Sequence, residues 1–177
     1  MSHTIRRATA DDAGALAALA AVTFPLACPP SSSPEDIAAH LAGTLGETHF
    51  ESYLADPDIT ILVLDDEGTL HGYSLLVNRP AADPDVAAAL TLLPSVELSK
   101  CYVHPEHHGL GAAAELMRAS LHAASAAGAA GAWLGVNSQN ARAIRFYEKS
   151  GFRKVGTKTF RLGTAVEHDF VMERPLP

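Results

Sequence analysis

The longest unbroken apolar stretch rich in β-branched residues, Ile59–Leu64 (ITILVL), reads as a buried strand. Asp65-Asp66-Glu67-Gly68 supplies a turn, and Leu70–Val77 returns as the second arm of a hairpin. Val96–Val103 (VELSKCYV) alternates polar and apolar positions and predicts the next strand. Ala132–Val136, Val155–Leu162 and Asp169–Arg174 predict three later strands, and Ile5–Ala8 a short first one.

Between these runs the period changes. Leu110, Ala114, Met117, Leu121 and Ala124 recur at steps of four and three, which predicts one apolar stripe on a helix over Gly111–Ala127, stopped by Gly128. Ala13–Val22 predicts a helix capped by Thr9 or Asp11. Phe24–Ser33 (FPLACPPSSS) holds three prolines and three serines and predicts a loop. Ser33 then caps a second helix with Pro34 in its first turn, broken near Gly43–Glu47 and resumed in His49–Leu54. Arg79–Pro94 reads as irregular with a short helix, and Ala141–Ser150 as a helix ended by Gly151. No repeat or linker interrupts the pattern, so residues 1–177 read as one α/β domain, with a largely antiparallel sheet and a central strand–helix–strand unit.

Composition narrows the function. With 177 residues, 47% hydrophobic and 19% charged, the chain is sized for one packed core. A net charge of −7 with dispersed Lys and Arg argues against a nucleic-acid partner and suits attraction of a cation. Two cysteines, Cys28 and Cys101, give no disulfide framework and fit a reducing cytoplasm. No apolar run approaches the ~20 residues of a membrane span, and MSHTIRRATADD lacks a signal-peptide core.

The turn His108-Gly109-Leu110-Gly111-Ala112-Ala113 leads from a strand into an alanine-rich helix. Two glycines permit positive φ and close approach of the backbone, and the first N–H groups of the helix carry the positive end of its dipole. Such a corner can hold a pyrophosphate without many basic side chains. A P-loop is excluded because no Gly-Lys-Ser/Thr follows. A Rossmann turn fits poorly: the segment lies past mid-chain, Ala stands where a third glycine is usual, and no ribose-binding acid follows.

A second segment, Asn137–Phe152 (NSQNARAIRFYEKSGF), resembles the second motif of the GNAT superfamily of N-acetyltransferases. Val103–Ala113 (VHPEHHGLGAA) resembles the acetyl-CoA motif of the same superfamily, in the same order and at a fitting separation. The resemblance implies the GNAT fold: a mixed, mostly antiparallel sheet of six to seven strands flanked by helices, bulged within Glu97–Val103 and splayed between strands four and five. It implies acetyl-CoA as cosubstrate, with main-chain groups of Cys101, Tyr102 and Val103 along the pantetheine arm. By the same resemblance, the N–H groups from His108 through Gly109, Leu110, Gly111 and Ala112 to Ala113, with Ala114 or Glu115 nearby, are expected to hold the pyrophosphate. Asn140 bonds the pantetheine, and Tyr147 stands near the sulfur. His108 occupies a position where the family usually has Gln or Arg.

Amide formation from a thioester needs a neutral amine, a polarised carbonyl and a protonated thiol leaving group. The resemblance makes Tyr147 the acid, against an aromatic core role beside Phe146 and Phe152. Glu97 is the candidate base through a water, against a purely orienting role; before any bulge it shares a strand face with Ser99 and Cys101. Cys101 as an acyl-carrying nucleophile is disfavoured because nothing nearby activates a thiol. His104, His107 and His108 lack metal-ligand spacing, so no metal is expected. Trp133 is expected in the core, and Arg142, Arg145 and Lys149 are either solvated or near the 3′-phosphate of CoA. The segments His49–Pro57 and Thr159–Met172 look like diamine/polyamine N-acetyltransferases, implying a small amine acceptor such as a polyamine and a homodimer. A non-catalytic acyl-CoA sensor, or transfer to a protein or peptide amine, are the alternative readings.

Overall fold

The structure, a computed structural model, describes residues 3–177. Seven strands form one sheet: β1 (Thr4–Arg7), β2 (Ile59–Asp66), β3 (Thr69–Val77), β4 (Ser95–Val103), β5 (Gly131–Asn137), β6 (Arg153–Leu162) and β7 (Ala165–Pro175). Their spatial order is β1-β2-β3-β4-β5-β7-β6. Every neighbouring pair is antiparallel except β4 and β5, which run parallel. A parallel pair needs a crossover, and the helix α5 (Ala112–Ala126) supplies it.

One face of the sheet carries α1 (Ala13–Ala27), α2 (Pro34–Thr44) and α3 (Glu47–Ala55). Leu16, Leu19, Ala20 and Phe24 of α1 pack with Phe50, Ile61, Val63, Tyr73 and Leu162. The short α4 (Pro84–Ala89) covers Trp133 and Val171 on this face, so Trp133 is a core residue as expected. The opposite face is covered by α5 and α6 (Ala141–Lys149), whose Met117, Ala124, Ile144 and Phe146 meet Val96, Leu98, Leu134 and Met172.

Three expectations change. The helix α1 continues through Phe24–Ala27, four residues beyond the start of the expected loop. Pro25 is tolerated in the last turn because the carbonyl it leaves unpaired belongs to Ala21, an exposed residue. Buried Phe24, stacked on His40 at 4.5 Å, gives that turn its packing. The helical stretch Ala10–Ala27 is also 18 residues long with a mean hydropathy of 1.3, so an apolar run near membrane length does exist; its inner face is core.

The stripe of α5 is rotated from the expected one. Its buried positions are Ala112, Leu116, Met117, Ser120 and Ala124, whereas Leu110 is 66% exposed and Ala114 is exposed. Leu110 precedes the helix, which begins only after Gly111 in a left-handed conformation, and alanine's low helix cost lets it stand on either face.

Candidate active site

Strands β4 and β5 pair only over Ser95–Glu97 and Gly131–Trp133, then diverge. β4 keeps its pairing with β3, so beyond Glu97 one edge of its backbone is open. The splay between strands four and five is therefore present. His104 N–H donates to the carbonyl of His71 at 2.7 Å, and main-chain groups alternate in direction along a strand. Those of Cys101 and Val103 therefore face the gap. Those of Tyr102 face β3, so this residue meets the gap through its side chain, a correction to the expectation that all three align a ligand by backbone.

A bulge also lies where expected. Lys100 pairs with Leu75 and Leu98 with Leu76, leaving Ser99 as the extra residue. One added residue inverts the alternation of everything after it. Cys101 therefore leaves the face of Glu97 and packs with Leu116 and Met117 neighbours under α5, where burial pushes its thiol up to about 12. A thiol so hard to ionise is a poor nucleophile. Lys100 and Tyr102 move to the face of Glu97.

The gap opens into a cavity of about 340 Å³ lined by Cys101, Tyr102, Val103, His108, Gly109, Gly111, Ala113, Ala114, Asn140 and Tyr147. Gly109 and Gly111 have φ of 81° and 80°, and a Cβ on either would meet nothing within 4 Å. Their backbone therefore faces open space in a conformation that favours glycine. The N–H groups entering α5 have no intrahelical acceptors until Glu115 bonds Gly111. The donor set fits a diphosphate, and the open strand edge fits an extended amide-bearing arm. Three expected contributors differ. Leu110 and Ala112 do not line this cavity, Ala112 being buried in the core. The N–H of His108 is taken by Pro105 at 3.2 Å.

His108 is held by its ring. Nε2 lies 2.8 Å from the Val103 carbonyl and Nδ1 lies 3.2 Å from the Arg142 guanidinium. A carbonyl accepts and a guanidinium donates, which selects the tautomer with hydrogen on Nε2. Arg142 thus reaches the cavity mouth, while Arg145 and Lys149 lie exposed along α6. Asn140 caps α6 by accepting from the Ala143 N–H at 3.2 Å, which leaves its amide NH₂ available to donate into the cavity.

A second cavity of about 210 Å³ joins the first at Tyr102, Asn140, Ala143 and Tyr147. Its wall carries Glu97, Lys100, Lys158, Glu167 and Asp169, with Phe24, Cys28 and Phe160 closing one side. The end of α1 and the late strands β6 and β7 thus build it. Burial raises the Glu97 carboxyl above its ordinary range, with Lys100 and Lys158 opposing. Burial likewise pushes the Tyr147 hydroxyl well above 10, so it stays protonated at neutral pH. Lys158 lies 3.5 Å from Asp169, whose carboxyl burial also raises. Lys100, Lys158, Glu167 and Asp169 escaped the sequence reading; a lysine inside the strand VELSKCYV was the available signal.

The remaining histidines are accounted for otherwise. His104 Nδ1 accepts from the Glu106 N–H at 3.3 Å, and the His107 ring packs at a tilt against His71, centroids 3.9 Å apart. Among the described residues no group of three potential ligands could hold a metal ion.

A parallel pair opened by a bulge, beside a glycine corner at a helix start, is the arrangement that the GNAT resemblance implies. Residues 25–152 match the model of the acetyltransferase (GNAT) family, and the chain belongs to that family. An uncharacterized N-acetyltransferase of Mycobacterium tuberculosis is 47% identical over 165 residues, 93% of this chain and 98% of that protein. An uncharacterized N-acetyltransferase of Lactobacillus delbrueckii subsp. lactis is 27% identical over 82% of this chain and 81% of its own length. The same fold occurs in the PaiA N-acetyltransferase from Thermoplasma acidophilum, solved in complex with coenzyme A (TM-score 0.78, 21% identity, 99% of both chains). It occurs also in the ribosomal-protein-S18-alanine N-acetyltransferase from Escherichia coli (TM-score 0.70, 19% identity, 99% of this chain and 94% of that one).

Proposed function

We propose that the chain transfers an acetyl group from acetyl-CoA to the primary amine of a small acceptor by direct attack within a ternary complex. The observation that carries this reading is the junction of the two cavities at Tyr147, with Glu97 in the second. Acetyl-CoA supplies a thioester carbon that exchanges its C–S bond for a C–N bond. Gly109, Gly111, Ala113 and Ala114 hold the diphosphate by main-chain donors, and Asn140 donates to the pantetheine arm. The Val103 N–H, facing the gap, stabilises charge developing on the carbonyl oxygen.

The acceptor enters as an ammonium and must lose a proton before its lone pair can react. Glu97, its basicity raised by burial, takes that proton through a water and releases it to solvent. Tyr147 gives its proton to the departing sulfur and regains one from the nitrogen as the amide forms. The sum is one ammonium and one thioester converted to one amide, one thiol and one proton.

The three carboxylates Glu97, Glu167 and Asp169 support a cationic acceptor, and the polyamine implied by the subfamily resemblance is one such molecule. The two unpaired cysteines support a cytoplasmic setting, and the resemblance carries with it a homodimer. The test is thiol release from acetyl-CoA across a panel of primary amines. Amine-dependent release is expected. Tight acetyl-CoA binding with no release for any amine would make the protein a sensor instead.

A further inference from the structure

The acid and base of acetyl transfer account for Tyr147 and Glu97, but not for the lysines beside them. Lys100 faces the acceptor cavity only because Ser99 is bulged; unbulged, it would point toward α5. Its ammonium donates to the carbonyl and hydroxyl of Ser99 at 3.3 and 3.2 Å. No carboxylate lies within 4.0 Å of it among the described residues. Lys158 reaches the same cavity from β6 by lying across Gly135, where a Cβ would fall 2.5 Å from its Cε. Lys100 and Lys158 thus share one small cavity, but only Lys158 has a carboxylate beside it, Asp169 at 3.5 Å; burial lowers the Lys100 pKa, Glu97 and Asp169 opposing and Lys158 adding to that effect. A buried ammonium with no carboxylate in direct contact, as at Lys100, is unfavourable unless an anion meets it.

From this convergence we infer that Lys100, seconded by Lys158, is an anion subsite, and that the acceptor is a zwitterion of the α-amino acid class, its carboxylate on Lys100 and its amine toward Glu97 and Tyr147. The inference rests on the acetyltransferase reading above. Glu97 and Lys100 line the same cavity from β4, on either side of the bulged Ser99, so a small molecule bearing both charges has a partner for each on one strand. A diamine would leave Lys100 facing a like charge.

The experiment measures thiol release from acetyl-CoA by the full chain with the standard α-amino acids, their carboxamides, the matching decarboxylated amines and spermidine. At least one amino acid is expected to exceed its carboxamide and decarboxylated amine in kcat/KM by on the order of 30-fold, the weight of a charge-assisted hydrogen bond in a shielded site. Lys100→Met should collapse that ratio, chiefly through KM, while the acetyl-CoA thermal shift shows the variant folded. Lys158→Met should reduce the ratio less. Carboxamides, decarboxylated amines or spermidine used as well as the amino acids would overturn the subsite and leave the acetyltransferase reading standing. So would an unchanged ratio in Lys100→Met. Absence of any acetyl-CoA thermal shift would instead overturn the parent reading.

Discussion

Nε2 of His108 donates to the carbonyl of Val103 at 2.8 Å, tying the turn after β4 to the last residue of that strand. The same ring accepts from Arg142 of α6, so one side chain spans both walls of the cleft between β4 and α6. His108→Ala removes two contacts that shape the glycine corner. The expected outcome is acetyl-CoA affinity weakened by roughly 3- to 10-fold, about one neutral hydrogen bond, with acceptor KM little moved. Isothermal titration with acetyl-CoA checks it.

Gly111 stands in the left-handed region at φ 80°, immediately before α5. Gly111→Glu adds the strain of that conformation, about 1–2 kcal/mol, and a carboxylate beside the proposed diphosphate site. Acetyl-CoA binding should be lost while the fold persists, because a Cβ there meets nothing within 4 Å. Retained affinity would displace the diphosphate from this corner.

Tyr147 keeps its proton because burial holds its pKa well above 10. Tyr147→Phe preserves the ring contacts with Phe146 and Phe152, at 5.5 and 6.1 Å, and deletes only the proposed acid. Turnover should fall by about 100-fold or more with acetyl-CoA affinity nearly unchanged. Equal turnover would return Tyr147 to a packing role.

Burial raises the Glu97 pKa, so a base at this position is lost as pH falls through that raised value. The wild-type kcat/KM should drop on the acid side, and Glu97→Gln should be slow and lack that limb. Stability runs the opposite way. A carboxyl whose folded pKa is raised contributes stability below its unfolded pKa and forfeits it as pH rises through the folded one. Thermal unfolding of Glu97→Gln against wild type should therefore favour the variant more at neutral pH than in acid.

Two glycines of β5 should respond differently to alanine. At Gly135 the new methyl meets the flexible end of Lys158, so the lysine swings aside, its pairing with Asp169 breaks, and acceptor KM rises with little loss of Tm. At Gly131 the methyl meets Leu92 Cβ at 2.6 Å and two carbonyl oxygens at 3.2 and 3.3 Å. Backbone cannot yield cheaply, so Gly131→Ala should cost about 1–3 kcal/mol of stability. Thermal melts and acceptor kinetics on both variants separate the cases.

Elements whose signals are local were legible in the order of residues. The run ITILVL, the turn before Leu70 and the helix α6 beginning after Asn140 appear where their periods and caps place them. So does the glycine corner, because positive φ at Gly109 and Gly111 is a property of the residues themselves. The two GNAT-like segments, being contiguous, carried the family and the acyl-transfer chemistry. The last turn of α1 was hidden, since Pro25 and Pro29 read as a loop and only the seat of Phe24 against His40 overrules them.

Tertiary structure alone decided which way the side chains of β4 face. The bulge at Ser99 comes from how β4 registers against β3, and a one-residue slip exchanges the two faces of everything that follows. Cys101 thereby passed beneath α5, and Lys100 entered the cavity that also holds Glu97. Gly135, unremarkable in the chain, became the gap through which Lys158 reaches its neighbours from a strand more than twenty residues later. Alternation along one strand is a local quantity; pairing register and the meeting of β4, β6 and β7 at one cleft depend on the whole sheet.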